Sequence, residues 1–523
     1  MLPLMWSKKR GINMFQYHKE IPFIKDEYWW GGIIDEGVYM PYNQNHSLRN
    51  LNESNFGNQV TSFFISSKGR YFYSNEPIQY IIKERVLIVD SMEEIFLEDK
   101  QSNLREAYYD WFHKYIKKDG KHPLMDMFVL PQYNTWIEMN WKPTQEKILK
   151  YAHEIIDNGY QPGILMIDDG WQEDYGVWEF NSKSFSNPKE MIKELHSLGF
   201  KVMLWIVPCV SPDSLTFREN ESKKIFYRKK NCEEVQIMHW WDGYSAVLDL
   251  TNPEAIKWLK SQCDRLQNEY AIDGFKFDGA DDDFYPYEGK FFKEMPRVHQ
   301  SRLYSEFASQ YALNEMRACF NTQGKALAQR LTDKRHSWND RGINTLIPNA
   351  IAMSNLGYIF NCPDMIGGGL VGDFVDDQFQ IDEELFVRYA QVATFFPMMQ
   401  FSLAPWKALS IKNNQIVHKC CQIHESLKDD ITLFVKEAAN KGTPILRSLC
   451  FEFPDGGFEN IKDQFMLGDK YLIAPIVTKN TYSREVVLPK GKWLDDLGKV
   501  YEGGQCITIS VPLERVPYFI KQN

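Results

Sequence analysis

The sequence predicts an α/β fold in which a (β/α)8 TIM barrel is the central and largest part. Two observations carry this prediction. Short apolar runs alternate with helical periods along the middle of the chain, and two of the runs, residues 163–169 and 274–278, end in carboxylates. Runs of this length fit strands buried on both faces, and acids that follow such strands lie at their carboxyl ends, where barrels keep their chemistry. These acids are therefore candidates for a catalytic pocket.

The pattern divides the 523-residue chain into three parts. Residues 1–118 carry short alternating segments punctuated by Gly and Asn, which indicate an N-terminal β-rich domain. Residues 119–442 alternate strand and helix patterns, as a barrel does, and residues 443–523 return to short alternating runs, which predict a C-terminal β-domain.

Within the barrel, each expected element can be placed along the chain. The predicted strands are residues 127–131, 163–169, 201–208, 274–278, 326–330, a stretch ending at 337–340, 358–361 and 396–401. The predicted helices that separate the earlier strands are residues 144–158, 188–198 and 253–270.

Composition narrows the range of partners. Sixty basic and seventy acidic residues give a net charge of −10 without a basic block, so neither nucleic acid nor a membrane is expected as a partner. A neutral ligand fits better, and the 15 tryptophans include candidates for stacking on the apolar face of a sugar ring.

Cysteine and histidine usage argues against a metal or a disulfide framework. The nine cysteines are scattered without a Cys-x-x-Cys pair, and no histidine lies in His-x-His or His-Glu-x-x-His spacing. We therefore expect no cofactor and no metal. The N-terminus does not show a signal-peptide pattern and no stretch approaches 18 apolar residues, so a cytoplasmic location is expected.

A set of motifs in consistent order resembles glycoside hydrolase family 31. They are Lys276-Phe-Asp278, residues 249–253, Trp338-Asn-Asp340, residues 363–368 and several segments between 464 and 504. The resemblance implies an N-terminal β-sandwich, a (β/α)8 barrel and a C-terminal β-domain, together with the activity of a retaining, exo-acting α-glycosidase.

The resemblance assigns the two catalytic carboxyl groups. Asp278, at the end of the fourth barrel strand, matches the nucleophile, and Asp340 matches the acid/base, although the family usually has Gly-Asp where this chain has Asn339-Asp340. Retaining glycosidases need two carboxyl groups about 5–5.5 Å apart, one attacking and one donating and then removing a proton. Lys276 points to the same side of its strand as Asp278, where it can favour the ionised carboxylate and hold a sugar hydroxyl.

Further residues are expected to line the substrate site. Arg330 resembles a family arginine that binds substrate hydroxyls, with Arg335 as its rival. Trp205 and Trp338 are placed to wall the subsite, with a core role as the alternative for each, and Asp364 matches a supporting carboxylate. The acidic run 281–283 is interpreted as a solvated or metal-attracting loop and is left out of the active pair.

Substrate preference is predicted from departures from the glucosidase pattern. Asp168-Asp169-Gly-Trp171 resembles the motif with which α-galactosidase families bind the 4- and 6-hydroxyls of galactose, and the segment ending at Trp406 resembles an α-galactosidase-like branch. The prediction is hydrolysis of terminal α-linked galactose from a small-molecule or oligosaccharide α-glycoside. For Asp168 and Asp169, capping of the next helix is the alternative.

Several alternatives stay open. The chain can instead be an α-glucosidase, an α-xylosidase or an α-N-acetylgalactosaminidase of the same family, and an alcohol can replace water so that the sugar is transferred. The non-enzyme alternative is a carbohydrate-binding protein that has lost catalysis.

The sequence predicts neither the oligomeric state nor the glycosidic linkage of the substrate. The glycines of residues 367–372 satisfy a dinucleotide-binding pattern, but no downstream βαβ unit supports that use.

Overall fold

The computed structural model describes residues 15–53, 57–339, 341–375 and 379–522. Within these ranges, eight short parallel strands form the central sheet. The strands are β1 (Gln132–Asn134), β2 (Ile164–Ile167), β3 (Lys201–Ile206), β4 (Gly274–Phe277), β5 (Leu313–Met316), β6 (Gln329–Arg330), β7 (Asn361–Cys362) and β8 (Gln400–Phe401).

The sheet curls into a nearly closed barrel. Its strand order is β7-β6-β5-β4-β3-β2-β1-β8, and every ladder between neighbours is parallel. The two ends meet just beyond β7, where Ile366 bridges Phe401 in parallel and its N–H donates to the Gln400 carbonyl at 2.7 Å. The predicted barrel is confirmed.

The apolar strands are found where the sequence placed them. β2, β3 and β4 lie inside the predicted runs, and their residues are buried on both faces except at the first residue of β3. The predicted strands 358–361 and 396–401 are longer than the strands observed there. Only their final residues form hydrogen bonds with neighbouring strands, since β7 and β8 are two residues long.

Two of the strand predictions were wrong, and one strand was missed. Part of the run 127–131 is a short helix, Asp126–Val129, and the strand follows it as β1. The fifth strand is β5, which was not predicted, so the run 326–330 contains the sixth strand. Residues 331–339 form no strand.

The missed strands share a physical cause, which is that polar side chains fill the barrel interior. Gln132 of β1 and Glu315 of β5 are both buried, and Gln400 of β8 donates to each of them, at 2.9 and 2.6 Å. A strand buried on both faces is expected to be nearly continuous in apolar residues, and β1 and β5 break that pattern.

Helices surround the barrel and begin at capping residues. Thr144, Asn187 and Asn252 each accept a hydrogen bond from a backbone N–H of the first turn, which explains why the three predicted helices begin within one residue of their predicted starts. The helices of this region are Asp126–Val129, Thr135–Met139, Gln145–Asp157, Pro188–Ser197, Leu215–Asn220, Pro253–Tyr270, His299–Ala308, Leu346–Asn355, Glu383–Ala393, Pro405–Ala408, Ile411–Ser426 and Lys428–Lys441.

Short 3-10 turns and small hairpins lie in the connections. The 3-10 turns are Ile34–Tyr39, Glu221–Lys223, Asp282–Phe284, Ile343–Thr345 and Val371–Asp373. The antiparallel pairs are Gln172–Asp174 with Val177–Phe180, Ile237–Trp240 with Gly243–Val247 and Cys209–Val210, and Arg228–Lys229 with Gly289–Lys290.

An N-terminal β-domain precedes the barrel. One of its sheets orders Tyr17–Pro22, Val86–Ser91, Ile78–Lys83 and His46–Asn50, and the other contains Trp29–Ile33, Gln59–Ser66 and Tyr71–Tyr73. The sheets meet through Phe64 and Tyr80, whose ring centroids are 4.9 Å apart. The helix Leu104–Tyr115 then leads to the barrel.

The N-terminal domain is joined to the barrel through its second sheet. Cys319–Phe320, just beyond β5, pairs in parallel with Gln59 and Val60. The buried Gln59 amide donates to the carbonyls of Arg317 and Arg330, at 2.7 and 2.8 Å. The N-terminal domain therefore fixes the carboxyl ends of β5 and β6.

A C-terminal β-domain follows the last helices of the barrel. One sheet orders Leu446–Arg447, Phe465–Leu467, Tyr471–Ile473, Tyr518–Gln522, Lys492–Asp495 and Val500–Glu502, and Ser483–Leu488 pairs with Gln505–Ser510. A short helix, Leu449–Glu452, lies between its first strands.

The domain boundaries at residues 118 and 442 stay predictions. In the described ranges, no helix has the length and apolar character needed to cross a bilayer.

Candidate functional site

Asp278 lies at the centre of a cluster of charged groups where β4 ends. Its Oδ1 accepts from the Arg317 Nε at 2.9 Å and from the Gly279 N–H at 2.9 Å, and its Oδ2 accepts from the Trp205 Nε1 at 3.2 Å. The side chain keeps 14% of its surface exposed, so the carboxylate is held from behind and open on one side.

The surroundings of Asp278 hold it in the ionised state. Burial alone opposes ionisation, but the positive charges of Arg317, Lys276 and Arg330 outweigh it and hold the pKa of Asp278 well below its usual range. A carboxylate that is ionised at neutral pH can act as a nucleophile.

Arg317 connects Asp278 to a second carboxylate. Its Nη2 donates to the Asp281 Oδ2 at 2.9 Å and its Nη1 to Oδ1 at 3.3 Å, while Nη1 also donates to the Gly57 carbonyl of the N-terminal domain at 2.5 Å. Asp281 was interpreted from the sequence as part of a solvated run, and this was wrong, because its side chain is buried against Arg317.

The paired acids after β2 have different environments. Asp168 Oδ2 accepts from the Lys276 Nζ at 2.6 Å, and both side chains are almost fully buried. Asp169 Oδ1 accepts from the Gln172 amide at 2.7 Å and its Oδ2 from the Tyr175 hydroxyl at 2.9 Å. Burial, together with the charge of Asp242, raises the pKa of Asp169 to about 7 against the effect of its hydrogen bonds.

A polar layer lies beneath these groups inside the barrel. Arg330 donates to Glu315 at 3.0 Å and to Asp364 at 2.8 Å, and all three side chains are 1% exposed or less. Burial raises the pKa of Asp364 to about 7, although the Arg330 charge opposes this shift. Arg330 was predicted to bind substrate hydroxyls, and the structure instead buries it in this layer. Asp364, predicted to be a supporting carboxylate, lies beside it.

Asp333 lies just beyond β6 and was not considered from the sequence. Its Oδ1 accepts from the Arg330 Nη1 at 2.7 Å, and a third of the side chain is exposed. Its charge raises the pKa of Arg317, the arginine that binds Asp278. Asp333 is thus a partly exposed carboxylate at the carboxyl end of β6, in contact with the buried polar layer.

The remaining residues predicted for the site do not contact Asp278 in the described part of the chain. Trp171 is fully buried, donates its Nε1–H to the Trp205 carbonyl at 2.9 Å and stacks on Trp178, so it supports Trp205 from the core and does not face the cleft. Trp338 donates to Asp382 at 2.9 Å. Asp340 lies outside the described residues.

Trp406 lies away from the residues around Asp278. Its ring centroid lies 5.9 Å from Tyr151 of the helix Gln145–Asp157 and 5.4 Å from Tyr160, on the outside of the barrel. Arg335, the rival of Arg330, is half exposed and pairs with Asp373 at 2.8 Å, also outside the polar layer.

Fold and site together define an α/β-barrel protein with a cluster of carboxylates, balanced by buried cations, at the carboxyl ends of its strands. Residues 122–408 match the family model of the glycosyl hydrolases family 31 TIM-barrel domain, and residues 442–523 match that of the glycosyl hydrolase family 31 C-terminal domain. The chain belongs to glycoside hydrolase family 31.

Named relatives support this membership. The chain is 33% identical over 417 residues to the myogenesis-regulating glycosidase of Mus musculus, covering 78% of this chain and 58% of that protein. It is 27% identical to the alpha-glucosidase 2 of Bacillus thermoamyloliquefaciens, covering 79% of this chain and 55% of that protein. The chain thus spans about half the length of these curated relatives.

Solved structures share the fold. A Flavobacterium johnsoniae GH31 dextranase complexed with glucose superposes with a TM-score of 0.84 at 19% identity, covering 98% of this chain and 68% of that one. A GH31 alpha-xylosidase from a soil metagenome, complexed with xylose, gives a TM-score of 0.85 at 20% identity, covering 98% of this chain and 80% of that one.

Proposed function

We propose that this chain is a retaining, exo-acting α-glycosidase that hydrolyses terminal α-linked galactose by double displacement. The observation that carries the proposal is the setting of Asp278, an ionised carboxylate that is held by Arg317 and Trp205 and open on one side. In the first step a carboxylate oxygen of Asp278 attacks the anomeric carbon, and the glycosidic oxygen leaves as it receives a proton.

The proton comes from a second carboxyl group, for which the chain offers two candidates. The sequence motif favours Asp340. Asp333 is the second candidate because it follows β6 and a third of its side chain is exposed, but its ion pair with Arg330 favours the ionised form over the acid. In either case the same group then removes a proton from water, which releases the sugar from Asp278 with its original anomeric configuration.

Selection of galactose rests on Asp168, Asp169 and Lys276. Asp168 and Lys276 form an acceptor and a donor only 2.6 Å apart, so together they can bind a single hydroxyl in both directions. Asp169 offers an acceptor beside them. Carboxylates at two neighbouring positions fit a sugar whose 4- and 6-hydroxyls lie close together, as the axial 4-hydroxyl of galactose makes them.

A second candidate is hydrolysis of an α-glucoside or α-xyloside. The names of the relatives favour it, since they include an alpha-glucosidase and two alpha-xylosidases. An N-acetylgalactosaminide is a further member of the same chemical class. These candidates share Asp278 and differ only in the sugar that the groups around it select.

A panel of p-nitrophenyl α-glycosides separates the candidates. Release of nitrophenol is measured with galactose, glucose, xylose and N-acetylgalactosamine, and the Asp278→Asn variant serves as the blank. We expect the α-galactoside to be hydrolysed fastest. Preference for glucose or xylose would leave the mechanism intact and overturn the sugar assignment, and no turnover of any sugar would favour a carbohydrate-binding protein.

A further inference from the structure

The connection beyond β6 carries both candidates for the acid/base without the support of a regular element. Asp333 lies just beyond β6, and Asp340 lies further along the same connection. Residues 331–339 form neither helix nor strand, and the next element is the 3-10 turn Ile343–Thr345. A loop has no ladder to fix its position, so the contacts that anchor residues 331–339 decide where a carboxyl group on this connection lies.

Lys334 anchors this connection from inside the protein. Its side chain is fully buried, and its Nζ donates to the Asp35 Oδ1 at 2.9 Å. Asp35 belongs to the 3-10 turn Ile34–Tyr39, so the ion pair joins the N-terminal domain to the residue next to Asp333. Withdrawing an ammonium from water is unfavourable, and a buried ion pair gives little net stability compared with apolar side chains of similar size. The lysine is therefore better explained by the geometry that it imposes than by stability.

The main chain of Lys334 is also bound. Its N–H donates to the Asp364 Oδ2 at 2.5 Å, and its carbonyl accepts from the N–H groups of Gly369 and Leu370 at 2.9 and 3.1 Å. Lys334 thus joins three parts of the molecule, which are the N-terminal domain, the acid after β7 and the connection that follows this acid. The position of its neighbour Asp333 follows from these bonds.

Asp35 is itself fixed against the barrel. Its 3-10 turn packs closely on the helix Leu346–Asn355, since a Cβ at Gly37 would stand 2.7 Å from the Asn349 Cα. The Asn349 Nδ2 also donates to the Asp35 Oδ1 at 3.2 Å. The partner of Lys334 is therefore a carboxylate whose position is set by contacts on both sides of the domain junction.

We propose that Lys334 is a positioning residue for general acid/base catalysis, which holds the connection after β6 at the distance from Asp278 that proton transfer requires. The inference rests on the proposed glycosidase function and holds for either candidate, Asp340 or Asp333. A catalytic group displaced by about 1 Å can lose about 100-fold in rate. Asp278 is held by other side chains, so its role as nucleophile does not depend on Lys334.

The first test measures how the loss in Lys334→Met depends on the leaving group. An alkyl α-glycoside of the sugar that the panel selects needs a proton on its leaving oxygen, whereas the α-glycosyl fluoride of that sugar needs almost none. The ratio kcat/KM reports attack by Asp278. We expect kcat/KM for the alkyl glycoside to fall about 10- to 100-fold and kcat/KM for the fluoride to stay nearly unchanged.

The second test uses sodium azide, which attacks the glycosyl-enzyme without help from a base. In Lys334→Met, water should release the sugar from Asp278 slowly, because water needs the displaced group as its base. Azide should therefore raise kcat on the fluoride and yield a glycosyl azide. Its nitrogen bonds to the anomeric carbon as the bond to Asp278 breaks and restores the carboxylate. A general loss of structure would not be corrected by azide.

Three further variants complete the test. Asp35→Asn keeps an oxygen acceptor and removes the negative charge, so it should reproduce both effects. The double variant Lys334→Met with Asp35→Leu should lose no more activity than Lys334→Met, since residues that act as a pair are not additive. Lys462→Met is the matched control, because the Lys462 Nζ donates to the Val38 carbonyl of the same 3-10 turn from the C-terminal domain. It should change neither the leaving-group dependence nor the response to azide.

The outcomes separate this inference from the proposed function. Equal losses on the alkyl glycoside and the fluoride, no response to azide, unchanged kinetics in both single variants, or the same pattern in Lys462→Met would overturn the positioning role while glycosidase activity stands. Failure of both single variants to fold, seen as a lost thermal transition, would also overturn it, because the ion pair would then serve stability. Absence of turnover in the unsubstituted protein would overturn the glycosidase proposal together with this inference.

Discussion

Arg317 governs the state of Asp278 more than any other single residue. Burial would raise the pKa of Asp278, and the Arg317 charge is the largest influence that lowers it, ahead of Lys276. The two groups are in direct contact at 2.9 Å. Because only the ionised carboxylate is a nucleophile, Arg317 is expected to set the acidic limit of activity.

Replacing Arg317 by Met should therefore shift the pH profile. With one cation removed, the opposing effect of burial raises the pKa of Asp278, so protonation sets in at higher pH and the acidic limb of kcat/KM moves toward neutrality. The measurement is kcat/KM between about pH 4 and pH 8, where Asp278 of the unsubstituted protein stays ionised.

The control for this shift is Arg335→Met, since Arg335 pairs with Asp373 away from the cluster. An unchanged acidic limb in Arg317→Met, or an equal shift in both variants, would contradict the assigned role of Arg317.

The acid/base can be assigned by comparing Asp333→Asn with Asp340→Asn. Loss of the general acid should cost about 10²–10⁴-fold on substrates with a poor leaving group and much less on aryl glycosides, whose leaving oxygen needs little protonation. Because the ion pair with Arg330 favours ionised Asp333, we expect this pattern in Asp340→Asn. The pattern in Asp333→Asn alone would overturn the assignment made from the motif.

At the scale of elements, close packing of β4 against β5 positions Asp278. Gly274 pairs with Leu313, and a Cβ at Gly274 would stand 2.0 Å from the Leu313 carbonyl oxygen. The backbone conformation at Gly274 is not of the left-handed kind, so contact with β5, and not conformational freedom, requires the glycine.

Gly274→Ala should therefore force the two strands apart. We expect a loss of stability of about 1–3 kcal/mol, as overpacking produces, and a lower kcat because Asp278 and Arg317 lie at the ends of these two strands. The thermal midpoint and kcat are measured beside Gly372→Ala, whose new Cβ meets no atom within 4 Å. Equal behaviour of the two variants would refute the packing argument.

The strands that could be predicted from sequence are those built almost entirely from apolar side chains. β2 is apolar throughout, and β3 and β4 each contain a single lysine among apolar residues, so the acids that follow β2 and β4 could be located along with Lys276 of β4. β5 could not, because Asn314 and Glu315 are polar and satisfied by hydrogen bonds that only the closed barrel supplies.

Residues attached to those unpredicted elements were missed for the same reason. Arg317 follows β5, and Asp333 follows a two-residue strand, so neither lies beside an apolar run. Asp242 lies on a hairpin in a long connection, and only the folded chain brings it to Asp169.

At the scale of the whole molecule, the N-terminal domain is part of the site. Gln59 binds the carbonyls of Arg317 and Arg330, and the Gly57 carbonyl accepts from the Arg317 guanidinium. Asp35 of the same domain pairs with Lys334 at 2.9 Å, beside Asp333. The two arginines at the ends of β5 and β6 are thus oriented from outside the barrel.

Gln59→Leu should lower kcat without touching the cleft. The substitution leaves two buried carbonyls without their donor, which costs about 1–3 kcal/mol and loosens the ends of β5 and β6. Gln79→Leu is the control, because Gln79 binds Asp90 within the N-terminal domain. Wild-type kcat in Gln59→Leu would show that the N-terminal domain does not position the site.

The central claim is that Asp278 forms a covalent bond to the sugar, and trapping that bond tests it most directly. A 5-fluoro-α-glycosyl fluoride of the sugar selected by the panel slows release of the glycosyl group, so the intermediate accumulates and its peptide can be identified by mass spectrometry. We predict that the added mass is found on the peptide containing Asp278 and is absent from Asp278→Asn. Label on any other carboxylate, or turnover without a labelled intermediate, would contradict the account.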